Sequence, residues 1–236
     1  MRWIVGDVHG CALELERLLA QIRFEPGRDQ LGSVGDLINR GPDSLAVLRL
    51  WRDLGGSAVL GNHELYALAV RDNRTPRRPD TLDELFGTSE GEELLAGIAG
   101  WPVLTRLPGE VETWLVHAGV HPAWRDLAAA AERLNHAADS PARAKDEEIA
   151  FATRVRCCTP EGERVRHTGS AEGCPAGSRP WDAFYAGPAR IVHGHWAARG
   201  FYRGSHTMSL DSACVYGGAL TAWCPETDRV EWVSAL

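Results

Sequence analysis

Seven residues of this chain stand where a short apolar run ends, and each can bind a metal ion or hand over a proton. Asp7 and His9 follow "RWIV", Asp36 follows "LGSV", Asn62 and His63 follow "AVLG", His117 follows "TWLV", and His195 follows "IVHG". Imidazole suits zinc, iron and related ions, while carboxylate and carbonyl oxygens suit harder ions such as manganese. A carboxylate on a central strand can bridge two ions. Two ions about 3.5–4 Å apart can hold a hydroxide and clamp a phosphoryl group for in-line displacement. The stretch "VGDLINRGPDS" also places the Arg40 guanidinium on the same short turn as Asp36, with the Asn39 amide between them.

Taken singly, an Asp, Asn or His at a strand end is most often a turn former or a helix cap. Five such blocks in order are a different matter, because each must fall at the end of its own strand. Gly6, Gly10, Gly35, Gly61, Gly119 and Gly194 flank these blocks, as tight turns at a crowded site require. His121, His136, His167 and His206 lie outside the blocks and read as ordinary surface or packing residues. His193 points the other way along its strand and reads as packing or as a support behind the ligands.

The elements that must position these residues follow from periodicity. "RWIV", "QLGSVG" and "SAVLGNHE" read as buried strands. Between them, Leu15, Leu18, Leu19 and Ile22 mark one helix face, and Val47, Leu50, Trp51 and Leu54 another, with Pro42 and Asp43 at a helix start. Glu64 to Arg71 continues as a helix. This β-α-β-α-β order implies parallel strands with right-handed crossovers. In an open α/β sheet the carboxyl ends of such strands face one crevice, where ligands bind.

Farther on, "RDNRTPRRPD" reads as a basic loop, followed by helical pieces around Leu82 to Phe86 and Glu92 to Ile98. "VETWLVHAG" returns to strand. Trp124, Leu127, Ala128 and Ala131 mark a helix that runs into an Ala-rich, charged segment. Cys157 to Pro188 reads as a long loop or cap. "ARIVHGH", "TMSLD", "GGALTAWC" and "RVEWV" are strands. The fold class expected is α/β: two packed mixed sheets flanked by helices, in one domain over 1–236 with a cap at about 122–188.

With 236 residues and 44% hydrophobic content, the chain can bury one sizeable core. Its net charge of -7 argues against general nucleic-acid binding, which needs a basic face. A phosphorylated small substrate needs only local positive charge. No apolar run reaches the length of a membrane span, and Met1 leads directly into a strand, so a cytoplasmic location is expected. The six cysteines show no CxxC spacing and read as reduced thiols. A zinc cluster of Cys157, Cys158 and Cys174 is the weaker reading.

The blocks "GDVHG", "GDLINRG", "GNHE", "HAG" and "GHW" resemble those of the calcineurin-like metallophosphoesterases, in the phosphoprotein-phosphatase branch. "GDLINRGPDSLAVLR", "TLDEL", "VHAGVHPAW", "TRVRC" and "LDSACVYGGALTA" are similar to bacterial symmetrical diadenosine-tetraphosphate hydrolases. The resemblance implies that Asp7, His9 and Asp36 hold one divalent ion. Asp36 would bridge to a second, held also by Asn62, His117 and His195. Manganese is the first choice of metal, with iron, zinc and cobalt as alternatives. Metal-bound hydroxide would attack phosphorus in line, His63 would assist the leaving group, and Arg40 with Arg154 or Arg156 would grip phosphoryl oxygens. Ala197 stands where many relatives in the wider superfamily carry a further histidine.

Two departures from the resembling families bear on substrate. The segment from His117 to "TRVRC" is shorter than in the long tetraphosphate hydrolases, so its fit to two adenosines is open. Protein phosphatases carry an aspartate at the position of Asn39, where it orients the catalytic histidine. A phosphoserine expels an alkoxide and needs a well-oriented acid. A phosphoanhydride expels a nucleotide phosphate that cations can stabilise. Asn39 therefore favours anhydride hydrolysis, with diadenosine tetraphosphate cut to two ADP. The rival readings are a protein serine/threonine phosphatase or broad phosphomonoesterase acting on a phosphoprotein, and a non-catalytic nucleotide or phosphopeptide sensor.

Overall fold

The computed structural model describes residues 1–138 and 146–236. Its first third is β1 (Arg2–Val5), α1 (Ala12–Gln21), β2 (Gln30–Ser33), α2 (Ser44–Asp53), β3 (Ser57–Ala58) and α3 (Asn62–Arg71). The strands are parallel neighbours in the order β1-β2-β3, as the alternating pattern implies. Leu15, Leu18 and Leu19 bury one face of α1. The Asp43 carboxylate accepts the Ala46 N–H at 2.8 Å and so starts α2, whose Val47 and Trp51 are buried.

Next come α4 (Asp83–Gly87), α5 (Ser89–Ile98), β4 (Leu104–Leu107), β5 (Thr113–Val116), α6 (Leu127–Ala138) and α7 (Glu147–Arg154). The Ala-rich extension expected beyond α6 lies in part outside the described residues. The remaining strands are β6 (Cys157–Cys158), β7 (Arg164–Val165), β8 (Arg179–Pro180), β9 (Arg190–His193), β10 (Tyr202–Arg203), β11 (Thr207–Ser209), β12 (Asp211–Ser212), β13 (Ala219–Cys224) and β14 (Arg229–Ser234).

All of these strands except β6, β7 and β8 form two mixed sheets. One runs β12-β13-β1-β2-β3 with β14 paired to β13, and the other runs β10-β11-β9-β5-β4. Side chains alternate across each sheet. Ile4 of β1 and Trp223 of β13 meet Leu115 of β5, Val192 of β9 and Met208 of β11 in an inter-sheet core. Trp3 and Val5 point the opposite way, into the larger core shared with the helices. Burial is worth about 1.5–3 kcal/mol for each large apolar side chain, which holds the sheets face to face.

The segment from Cys157 to Pro188 differs from the loop expected. It carries a small three-stranded sheet, β7-β6-β8, and Trp181 within it is fully buried. Strands of two residues are too short to show a period, so the sequence offers no alternation to read. The cysteines also correct the reading of six reduced thiols, because Cys157 and Cys174 form a disulfide. Cys11, Cys158, Cys214 and Cys224 are free and buried. No helix among the described residues is long and apolar enough to cross a membrane.

Candidate metal centre

The strand ends converge. Asp7 follows β1, Asp36 follows β2, and Asn62 with His63 opens α3 after β3; His117 follows β5 and His195 follows β9. The first four thus hang from one sheet and the last two from the other. Asp36 is the hub: its Oδ2 lies 3.2 Å from His117 Nε2, 3.7 Å from His9 Nε2 and 4.0 Å from His63 Nε2. His117 Nε2 is 3.3 Å from Asn62 Oδ1, and His9 Nε2 is 3.9 Å from Asp7 Oδ2. Two overlapping groups of donor atoms share Asp36, one with His9 and His63, the other with His117 and His195.

Backbone contacts fix the ring orientations. His117 Nδ1 lies 2.8 Å from the Val34 carbonyl and His9 Nδ1 lies 3.3 Å from that of Ile38. With each Nδ1–H donating, both rings present a bare Nε2 to the centre. The backbone N–H of His195 donates to Asp7 Oδ2 at 3.1 Å, and that of His63 donates to Asp36 Oδ1 at 2.9 Å. A Cβ at Gly61 would overlap Asp36 Oδ1, and one at Gly194 would overlap Asp7 Oδ1. Only glycine lets the chain approach these carboxylates so closely.

The turns are also strained. His9, Asp36, Asn39, Arg40 and His195 all have positive φ, between 50° and 77°. Non-glycine residues reach that region at a cost and stay there only when the surroundings hold them. For Asp36 the holder is Glu64, which no strand-end argument identifies. Its fully buried carboxylate accepts the backbone N–H groups of Asp36 (2.9 Å), Leu37 (2.8 Å) and Gly61 (2.9 Å). A glutamate at the third position of a helix, reaching back to its N-terminus, is the readable signal.

The charges respond to this crowding. Burial, then the Asp211 and Asp36 carboxylates, push Asp7 well above the usual range. Burial also acts against ionised Asp36, but His117, His63 and His9 together hold its carboxyl well below the usual range. Burial pushes His63 down to about 4 and also holds His195 well below the usual imidazole range. Burial and Asp36 push Glu64 up to about 7. Buried Asp211, on β12, is a second neighbour that strand-end reasoning overlooks.

The donors suit divalent ions. His195 Nε2 is buried with no hydrogen-bond partner among the described residues, a costly condition unless something else bonds it. Imidazole, carboxylate and amide oxygen without thiolate is a donor set for manganese, iron, cobalt or zinc. A cleft of about 690 Å³ opens beside the centre, lined by Asn39, Arg40, Asn62, His63, Tyr66 and Arg154 among others.

Of the two arginines of "TRVRC", Arg154 faces this cleft and Arg156 does not. The Arg156 guanidinium donates to the carbonyls of His167 and His195, at 3.1 and 3.2 Å. His193 is buried against Trp181, at 5.2 Å between rings.

Residues 2–199 match the family described as calcineurin-like phosphoesterase. The chain belongs to this family. Among curated calcineurin-like relatives, two proteins named symmetrical bis(5'-nucleosyl)-tetraphosphatase are similar along most of their length. The one from Thioalkalivibrio sulfidiphilus is 35% identical, covering 93% of each chain. The one from Chromohalobacter salexigens is 38% identical with the same coverage. The crystal structure of a candidate diadenosine tetraphosphatase superposes with a TM-score of 0.74 at 30% identity, covering 100% of this chain and 93% of its own. A Saccharomyces cerevisiae protein serine/threonine phosphatase shares the fold, with a TM-score of 0.62 at 15% identity over 100% of this chain and 80% of its own.

Proposed function

We propose that the chain is a symmetrical dinucleoside-tetraphosphate hydrolase that cuts diadenosine tetraphosphate to two ADP. The observation that carries the reading is the convergence of three other chain segments on Asp36, through His9, His63 and His117, in a chain similar over 93% of its length to proteins bearing that name. Asp7, His9 and Asp36 would hold one divalent ion, and Asp36, Asn62, His117 and His195 the other, with manganese the first choice. Two such ions supply a nucleophilic water at neutral pH and neutralise phosphoryl charge.

The chain's own groups do the rest. Arg40 and Arg154 both line the cleft and bind the oxygens of the phosphoryl group under attack. The water oxygen bonds to phosphorus, the bridging oxygen departs with one ADP, and the same phosphorus leaves as the terminal phosphate of the other. His63, beside Asp36, hydrogen-bonds the departing oxygen. Asn39 supports an anhydride substrate, because its side chain is engaged elsewhere and His63 Nδ1 has no partner among the described residues. A substrate of this class fits a cytoplasmic location; the Cys157–Cys174 bond runs against a reducing compartment, and thiol counting on protein from anaerobic lysate tests that point.

The deciding experiment compares the purified protein, loaded with manganese, on diadenosine tetraphosphate, a phosphopeptide and an aryl phosphate. ADP as sole nucleotide product, with slow turnover of both monoesters, is expected. Faster phosphopeptide turnover would make the protein a phosphatase, and AMP plus ATP as products would remove the symmetry.

A further inference from the structure

The basic stretch from Arg71 to Arg78 does not spread its charge evenly. Arg77 is tied to Asp80 at 2.6 Å and to Asp83 at 2.8 Å. Arg71 is tied to Asp72 at 2.8 Å and donates to the Leu95 carbonyl at 3.0 Å. Arg78 is different. It lines the cleft with Arg40 and Arg154, and among the described residues none of these three makes an ion pair.

Tyr66 sets the position of Arg78. The Tyr66 hydroxyl accepts the Arg78 backbone N–H at 2.8 Å and donates to Asp80 Oδ2 at 2.8 Å. The Arg78 guanidinium lies over the Tyr66 ring, 5.2 Å from its centroid. Stacking holds the guanidinium plane and leaves its N–H edge open, the arrangement that suits bidentate contact with phosphate. Asp80 also lines the cleft, but Arg77 offsets its charge. Burial, then the positive charges of Arg164 and Arg78, push the Arg154 guanidinium below its usual pKa, as happens where like charges gather.

The cleft also continues. A second hollow of about 320 Å³ is also lined by Tyr66, Arg78 and Arg154, together with Leu65, Ala69 and Ile149. A ligand longer than one phosphate therefore has room to pass Arg78.

We propose that Arg78, stacked on Tyr66 and lining the same cleft as Arg154, is an oligophosphate subsite. It grips phosphates of the substrate that do not react, and it selects a phosphate chain over a single phosphate. This deepens the reading of the chain as a tetraphosphate hydrolase and rests on it for the identity of the substrate. A monoester held at the strand-end centre has no second phosphate to offer Arg78. A dinucleoside tetraphosphate has several, and an acidic protein of net charge -7 needs such local cations to hold it.

The test uses the manganese-loaded protein and its Arg78→Ala and Arg78→Lys variants. Competitive inhibition by inorganic tripolyphosphate and by orthophosphate is measured against turnover of p-nitrophenyl phosphate. KM and kcat are measured on diadenosine tetraphosphate. Arg78→Ala is expected to weaken tripolyphosphate inhibition by about tenfold more than orthophosphate inhibition, the weight of one charge-assisted hydrogen bond. KM for the tetraphosphate rises by a similar factor with kcat less affected, and Arg78→Lys recovers part of each loss. Equal weakening of both inhibitors, or none, overturns the subsite. Because the inhibition ratio needs no nucleotide substrate, it remains decisive even if diadenosine tetraphosphate proves not to be turned over.

Discussion

Asn39 Oδ1 accepts the backbone N–H of Thr81 at 3.3 Å, so the amide of the Asp36 turn is spent on the wall of the cleft. The same oxygen accepts the Arg40 N–H at 2.8 Å. His63, whose Nδ1 is buried and unpartnered among the described residues, receives nothing from it. This separates the centre from one in which a carboxylate orients and charges the histidine.

Substituting Asn39→Asp tests that separation. A carboxylate here raises the proton affinity of His63 and favours poor leaving groups. The expected result is a several-fold gain in aryl phosphate turnover relative to diadenosine tetraphosphate turnover. Identical responses of the two substrates would show that leaving-group chemistry is not what Asn39 governs.

Glu64→Gln removes an acceptor from the turn of Asp36. Both carboxylate oxygens already accept backbone N–H groups, so an amide nitrogen at either position faces a donor. The expected cost is about 2–3 kcal/mol of unfolding free energy, read by denaturant titration of the metal-free protein. Manganese retention after gel filtration falls with it. An unchanged midpoint would mean that the positive φ of Asp36 is held by something else.

Arg154 and Arg156 part company under alanine substitution. Arg154→Ala removes a cation from an open cleft, so stability stays within about 0.5 kcal/mol while kcat/KM falls by about a hundredfold. Arg156→Ala leaves the His167 and His195 carbonyls unpaired, and the unfolding free energy drops by about 1–3 kcal/mol. Circular dichroism and kinetics on both variants check this; the opposite pattern would exchange their roles.

Asp182 and Arg199 form a buried ion pair at 2.9 Å, and the Thr207 hydroxyl also donates to Asp182. Burial opposes the Asp182 charge, but Arg199 holds the carboxyl below its usual range. Its contribution is therefore complete above the unfolded value of about 3.9 and is lost as pH falls through the lower folded value. Asp182→Asn is expected to cost about 3 kcal/mol at pH 7, with the gap to the parent protein narrowing below about pH 4. A gap that stays constant from pH 7 to pH 3 would contradict the pairing.

Much of this is legible in the sequence, and the reasons differ by residue. Asp7, Asp36 and His117 announce themselves because β-strands alternate and end at glycine, a pattern that survives in one dimension. Arg154 and Arg156 could not be told apart, since two residues along a chain turn a side chain from cleft to backbone without leaving a mark. The helix-start position of Glu64 marks it as a cap, but its hold on the Asp36 turn depends on N–H groups from Asp36 to Ile38 that lie far off in sequence. β4 escaped because Pro102 and Pro108 flank "LTRL", a setting that favours loop readings. The Cys157–Cys174 pair has no spacing signature, because its partners lie 17 residues apart, one on a strand and one at the end of a short helical turn.

The two sheets meet at the strand-end centre, with Asp7, Asp36 and Asn62 on one and His117 and His195 on the other. A ligand gripped by both sets is thus a rivet through the seam. Its binding energy adds to the work of prising the halves apart, and amides in β1 and β9 gain exchange protection together. Loss of that ligand would remove this added stability and leave the apolar core between the sheets to hold them together.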